Sequence, residues 1–195
     1  GDAEEVWSVP LDWPEESLHL HPGLAQRCCD DSEHRLVRLR LVADESSEGY
    51  VYVASSRSLH SRGRRNVFAW NSSEVPGDLA TKATLMMEPV DGAPNVVRLR
   101  VALGADAGKY IYISSRTLIS DPRFCHVLVW DSLDVPPDLY GKATFTLQHA
   151  GSSGCHRIQL LCSDAIVCVP GMFHAADMRR RYVLACRAGD MPQGV

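Results

Sequence analysis

The sequence predicts an all-β chain built from three pseudo-repeats of four short strands each. Two observations carry that prediction. The stretch Val67-Phe68-Ala69-Trp70-Asn71-Ser72-Ser73-Glu74-Val75-Pro76-Gly77-Asp78-Leu79 returns as Val127-Leu128-Val129-Trp130-Asp131-Ser132-Leu133-Asp134-Val135-Pro136-Pro137-Asp138-Leu139, with a fainter copy from Val6 to Trp13. Between the copies, further segments recur in a constant order. Val37-Arg38-Leu39-Arg40 returns as Val97-Arg98-Leu99-Arg100, Tyr50-Val51-Tyr52-Val53 as Tyr110-Ile111-Tyr112-Ile113, and Ser55-Ser56-Arg57-Ser58-Leu59 as Ser114-Ser115-Arg116-Thr117-Leu118. Self-similarity at a long period marks a unit that buries its apolar face only by stacking on its copies.

Taken in order, each element has a local reason. Ser17 to His21 is a short polar strand candidate, and residues 22–34 read as a loop carrying Cys28 and Cys29. From Val37 to Leu41 apolar and basic side chains alternate, the period of a half-buried strand, with Val37, Leu39 and Leu41 toward the core. An acidic turn leads into the tyrosine strand at Tyr50, and a loop with Arg57, Arg62, Arg64 and Arg65 precedes the strand at Val67. The second pass runs through Ala83 to Met87, a turn at Asp91 to Asn95, Val97, Tyr110 and Val127. The third runs through Ala143 to Leu147, Arg157 to Leu160, Ile166 to Val169 and Tyr182 to Cys186. No helix of convincing length is visible; the best helical window, Phe173 to Arg181, is brief. Val-Pro-x-Asp-Leu reads as a turn, because Pro presets φ and Asp bonds amides just downstream.

Composition bounds the function. With 195 residues, 45% apolar and 23% charged, the chain suits one domain, 1–195, with pseudo-repeats at about 17–73, 82–133 and 143–190 and an extra strand near 6–10. A net charge of −4 argues against nucleic acid. No apolar run approaches a membrane span. Seven cysteines (Cys28, Cys29, Cys125, Cys155, Cys162, Cys168, Cys186) lack metal-ligand spacing and suit a reduced, cytoplasmic setting. Cys162 and Cys168 flank a short turn, and the sequence leaves open whether they are bonded across it.

Three four-stranded units avoid exposed edges by closing into a barrel about a pseudo-threefold axis, the β-trefoil arrangement; the alternatives are a β-sandwich or a three-bladed repeat without closure. The order carried by Phe145-Thr146-Leu147, Val97-Arg98-Leu99 and Gly108-Lys109-Tyr110-Ile111 resembles the repeat of fascin-like trefoils. That resemblance covers nearly the whole chain as architecture and implies a cytoskeletal partner. It transfers no contact residue, and the Gln-x-Trp signature of ricin-type lectins is absent.

The chemistry-bearing residues divide unevenly. Trp70 and Trp130, with Asn71 and Asp131 beside them, have the makings of sugar platforms; the third copy has Cys186 in that slot, so core packing is the stronger reading. Asp12, Asp78 and Asp138 recur but would lie too far apart around a threefold barrel for paired acid–base work. Tyr50, Tyr52, Tyr110 and Tyr112 fit either a protein-binding face or an outer core layer. His19 and His21 share a strand face without a third ligand. Cys125-His126 and Cys155-His156 point to opposite faces and form no local dyad. The arginine-rich loops remain: Arg57, Arg62, Arg64 and Arg65 in the first unit, Arg116 and Arg123 with Asp121 in the second, and Arg179 to Arg181 in the third. Clustered guanidinium groups bind acidic or phosphate-bearing partners. The sequence therefore predicts a non-catalytic binding or scaffolding module for a protein partner, with Arg57, Arg62, Arg64, Arg65 and Arg116 as binding residues. A lectin with up to three pseudo-equivalent sites is the alternative. No cofactor, metal or catalytic residue is expected.

Overall fold

A computed structural model of the chain describes residues 6–8, 35–42, 48–57, 64–70, 77–90, 92–149, 155–170, 173–174 and 177–191. The chain is all-β, one curled antiparallel sheet whose pairings return on themselves. Strands β1 (Val6–Ser8), β2 (Arg35–Val37), β3 (Arg40–Val42), β4 (Glu48–Arg57) and β5 (Arg65–Trp70) belong to the first unit. Strands β6 (Leu85–Val90), β7 (Ala93–Val101), β8 (Ile111–Thr117) and β9 (Cys125–Val129) form the second. The third contains β10 (Thr144–His149), β11 (Cys155–Leu160), β12 (Ala165–Cys168), β13 (Phe173–His174), β14 (Asp177–Tyr182) and β15 (Leu184–Arg187).

The same pairing is made three times. β6 pairs with β7 and with β2 of the unit before it; β10 pairs likewise with β11 and β7. β1 takes the equivalent place, between β3 and β11, and so closes the ring. A hairpin then projects from each unit: β4–β5, β8–β9 and β12–β15. The hairpins' returning strands touch in a cycle, Arg65 opposite Val129, Cys125 opposite Ala185, and Arg181 opposite Ala69.

Period-two alternation sorts the side chains of these hairpins into two layers. The inward set (Val51, Val53, Val67, Ile111, Ile113, Val127, Val129, Val167, Val183) joins Leu39, Leu99, Phe145 and Ile158 in one aliphatic core. Its centre leaves a void of about 20 Å³ lined wholly by apolar side chains, room for no ligand. The outward set builds a satellite cluster on each unit. Tyr52, Phe68 and Trp70 cluster on the first, and Tyr110, Tyr112 and Leu128 on the second. Phe124, Cys168, Leu184 and Cys186 form the cluster of the third. Tyr52, Tyr110 and Tyr112 thus belong to an outer core layer, each under 5% exposed, and only Tyr50 is half-buried.

Two short helices cover these clusters, where the sequence predicted turns. Helix α1 (Gly77–Ala83) places Leu79 and Ala83 against the first cluster, and α2 (Pro137–Ala143) places Leu139 and Ala143 against the second. The recurrent Pro-x-Asp-Leu runs into a helix: Pro136 and Pro137 sit at the start of α2, Asp78 and Asp138 lie in the first turns, and Lys82 and Lys142 in the last. Asp78 bonds Lys82 at 2.5 Å, and that bond holds its carboxyl below the usual range. Each helix has only one apolar i, i+4 pair, too little for a helical period to show. The repeated arginines then bind the helix ends. Arg38 Nε donates to Thr84 Oγ1 at 3.4 Å, and Arg98 Nε to Thr144 Oγ1 at 3.2 Å. The helical window at Phe173 to Arg181 holds strands β13 and β14 instead, whose backbone groups pair with each other and with β5. Among the described residues no helix is long and apolar enough to cross a membrane.

Buried phenols set a limit at high pH. Burial pushes Tyr52 up to about 12 from 10.0, and pushes Tyr110, Tyr112 and Tyr182 in the same direction. A raised folded pKa contributes stability that is complete below the unfolded value and lost as pH rises through the folded one. Between pH 10 and 12 Tyr52 alone is therefore expected to cost on the order of 2 kcal/mol. Its hydroxyl also has no hydrogen-bond partner among the described residues. Tyr52→Phe is expected to gain roughly 1 kcal/mol at neutral pH and to flatten the alkaline limb. Urea unfolding followed by circular dichroism from pH 7 to 12 checks both, and an unchanged limb would contradict them.

Candidate functional site

The arginine-rich loops join the two strands of each projecting hairpin, and their placement follows from the cycle of strand contacts. Repeat alignment on Val67, Val127 and Val183 puts Arg64, Phe124 and Arg180 in one column and Trp70, Trp130 and Cys186 in another. Across each seam the first column of one unit meets the second column of the next. At the first seam the Arg64 guanidinium lies 4.1 Å from the Trp130 ring centroid and 5.4 Å from that of Tyr112. It donates to the Tyr112 hydroxyl, and its Nε approaches Asp131 at 3.6 Å. The indole N–H of Trp130 is bonded to the Asp134 carbonyl at 2.9 Å, and the Tyr112 and Trp130 rings meet edge-on at 5.7 Å.

The third seam repeats this with small changes. Arg180 is in register with Trp70, and the neighbouring Arg179 holds its guanidinium 5.1 Å from the Trp70 centroid. Asp177 bonds Arg179 at 3.1 Å and Arg180 at 3.0 Å, and the Arg179 bond depresses its carboxyl. At the second seam both columns change together. Phe124 replaces the arginine, Cys186 the tryptophan, and the Phe124 ring is buried against Cys168, Leu184 and Cys186. A planar cation needs an aromatic face, and where the face is lost an aromatic ring takes the cation's place. Beside this seam lies an open cavity of about 470 Å³, lined by Arg123, Cys125, Asp164, Cys186 and Arg187 among others.

The predicted binding residues therefore fall into three groups. Arg64 belongs to the first seam. Arg65 bonds the Ser55 carbonyl and the Asp106 carboxylate, which also takes Lys109 at 2.8 Å, so it too ties the first unit to the second. Arg116 is exposed on β8, where its backbone N–H donates to Ser114 Oγ at 3.1 Å. Arg57 lies opposite Arg65 at the end of β4, with its side chain outside the described residues; Arg62 lies wholly outside them. Asp12, His19, His21, Asn71, Cys28 and Cys29 are also outside. The structure brings Arg64 to Asp131 and Trp130, and keeps Arg116 on a different hairpin.

Sequence reasoning missed two exposed apolar side chains. Ile119 is 84% exposed in the loop of the second unit and Met178 is 65% exposed on strand β14 of the third. Ile119 sits between Arg116 and Arg123, the latter held by Asp121 through bonds of 3.0 and 2.7 Å. Met178 adjoins Arg179, whose side chain is 62% exposed. The thiols are also rearranged. Cys162 donates to the Gly141 carbonyl at 3.0 Å, whereas Cys168 faces Cys186, with Sγ atoms 3.7 Å apart. Cys162 and Cys168 are not bonded to each other: the turn at residues 161–164 leaves Cys162 outside β12, which pairs with β11 and β15.

Among the described residues no cluster of three or more His, Cys, Asp or Glu has the geometry of a metal site. No family model matches the chain, and no curated protein matches it. Among solved structures, the chain is similar to a Caenorhabditis elegans protein of unknown function: TM-score 0.58 at 11% identity, covering 85% of this chain and 94% of that one. A salivary protein from Culex quiquefasciatus, of the Cysteine and Tryptophan-Rich family, is a weaker match: TM-score 0.46 at 15% identity, covering 72% and 87%. The first likeness is one of fold.

Proposed function

We propose that this chain is a non-catalytic β-trefoil module that recognises a protein partner through its hairpin loops and outer strand faces. The threefold pairing cycle supports the trefoil reading. The observation that carries the binding reading is an exposed apolar side chain close in sequence to arginine at two places, Ile119 between Arg116 and Arg123 in the loop of the second unit, and Met178 beside Arg179 on strand β14 of the third. An exposed apolar anchor with arginines close by in sequence suits an acidic protein surface. The filled interior leaves recognition to the outside. The resemblance to fascin-like trefoils favours a filament-forming cytoskeletal protein as the partner.

The double variant Arg116→Glu/Ile119→Asp tests the reading, since both side chains are exposed and folding should survive. Co-sedimentation with actin filaments, and affinity capture followed by titration of the purified captured protein, are compared for wild type and variant. The expected result is saturable binding that weakens at least about tenfold, two lost interactions of roughly 1 kcal/mol each. Equal binding by both proteins, or glycan-array hits that depend on Asp78 or Asp138 in the absence of a protein partner, would overturn it.

A further inference from the structure

We propose that Cys168 and Cys186 are a redox site that closes reversibly to a disulfide and staples the third unit. In the other two units these columns hold Tyr52 with Trp70, their ring centroids 6.2 Å apart, and Tyr112 with Trp130 at 5.7 Å. The third unit keeps the cross-strand partnership and changes its chemistry from ring against ring to thiol against thiol. The two cysteines lie on β12 and β15, Cys168 opposite Leu184 and Cys186 opposite Ile166, so they are diagonal neighbours on one sheet face. Both are thiols, 1% and 2% exposed, at a sulfur separation of 3.7 Å. Bond formation has to bring the two sulfurs from 3.7 Å to about 2 Å.

Burial alone would make such a pair inert. Here, however, Cys186, though only 2% exposed, is among the residues lining the open cavity of about 470 Å³ at the seam where tryptophan is missing, so local opening of that seam gives a small molecule access to it. A small disulfide such as glutathione disulfide enters there. The Cys186 thiolate attacks one of its sulfurs and expels one glutathione thiolate. The Cys168 thiolate then attacks Cys186 Sγ in the mixed disulfide and expels the second. The two protons leaving the cysteines end on the two glutathione thiols, so protein thiols are oxidised as the small disulfide is reduced. The new bond joins residues 18 apart and encloses the β13–β14 hairpin, which lies against β5 and carries Arg179 to Trp70. Oxidation thereby fixes the hairpin at the seam opposite the cavity.

The test incubates reduced protein with glutathione disulfide, alkylates it, and digests it with trypsin and an aspartate-directed protease. Cleavage before Asp164 separates Cys162 from Cys168, so every pairing is distinguishable by mass. The expected product is a linked peptide joining Cys168 to Cys186. The melting temperature should rise by roughly 6–12 °C, return on addition of dithiothreitol, and stay unmoved by glutathione disulfide in Cys186→Ala. Alkylation of both cysteines, a link from Cys186 to Cys125 or Cys162, or a link without a rise in melting temperature would each overturn the proposal. The wild-type peptide map decides the matter even where Cys186→Ala folds poorly.

Discussion

Phe124→Ala is expected to lower stability by roughly 3–5 kcal/mol, a fall in melting temperature of about 6–20 °C. That is a large effect for a residue outside any regular element. It follows from the ring's place across the second seam, 2% exposed and packed with Cys168, Leu184 and Cys186. Phe124→Arg sharpens the point. It installs the residue found at the equivalent positions 64 and 180, yet it should cost at least as much as alanine. Arg64 stacks on Trp130 and Arg180 lies in strand register with Trp70, whereas here the facing residue is Cys186, which offers no aromatic face. Urea unfolding of both variants gives the comparison. An arginine tolerated within about 1 kcal/mol of wild type would break the rule that arginine goes with tryptophan and phenylalanine with cysteine.

The all-β class was legible because the repeats preserve strand alternation. Val37 and Leu39 are assigned inward from period alone, and both lie in the core. The Trp/Trp/Cys slot likewise pointed to packing rather than to a sugar platform, and Trp70 and Cys186 are buried. The helices were not legible. Seven residues with one apolar pair, Leu79 and Ala83, carry no measurable period, and a proline followed by aspartate starts a turn as readily as a helix. The loops misled for a different reason. Arginines near one another in sequence look like a patch, but Arg64 and Arg65 are spent on Trp130, Asp131 and Asp106 of the next unit. Only a comparison of columns shifted by one repeat exposes such partners. Ile119 and Met178 carry no sequence signal, since a lone apolar residue among polar neighbours has no period to say whether it is buried or displayed.

The Arg64–Trp130 contact is the other place where a single change should have a large effect. Arg64→Ala removes a guanidinium stacked on Trp130, bonded to the Tyr112 hydroxyl and close to Asp131, and is expected to cost about 2–3 kcal/mol. Trp130→Ala removes the platform and the edge contact with Tyr112, for a loss of similar size. Neither number alone separates a seam key from ordinary packing. The double-mutant cycle does, because it isolates the term that exists only when both partners are present. Wild type, Arg64→Ala, Trp130→Ala and the double variant should show a coupling of about 1–2 kcal/mol in urea unfolding, with the double variant little worse than the worse single one. Losses that add to within about 0.3 kcal/mol would mean that Arg64 does not lock one unit to the next.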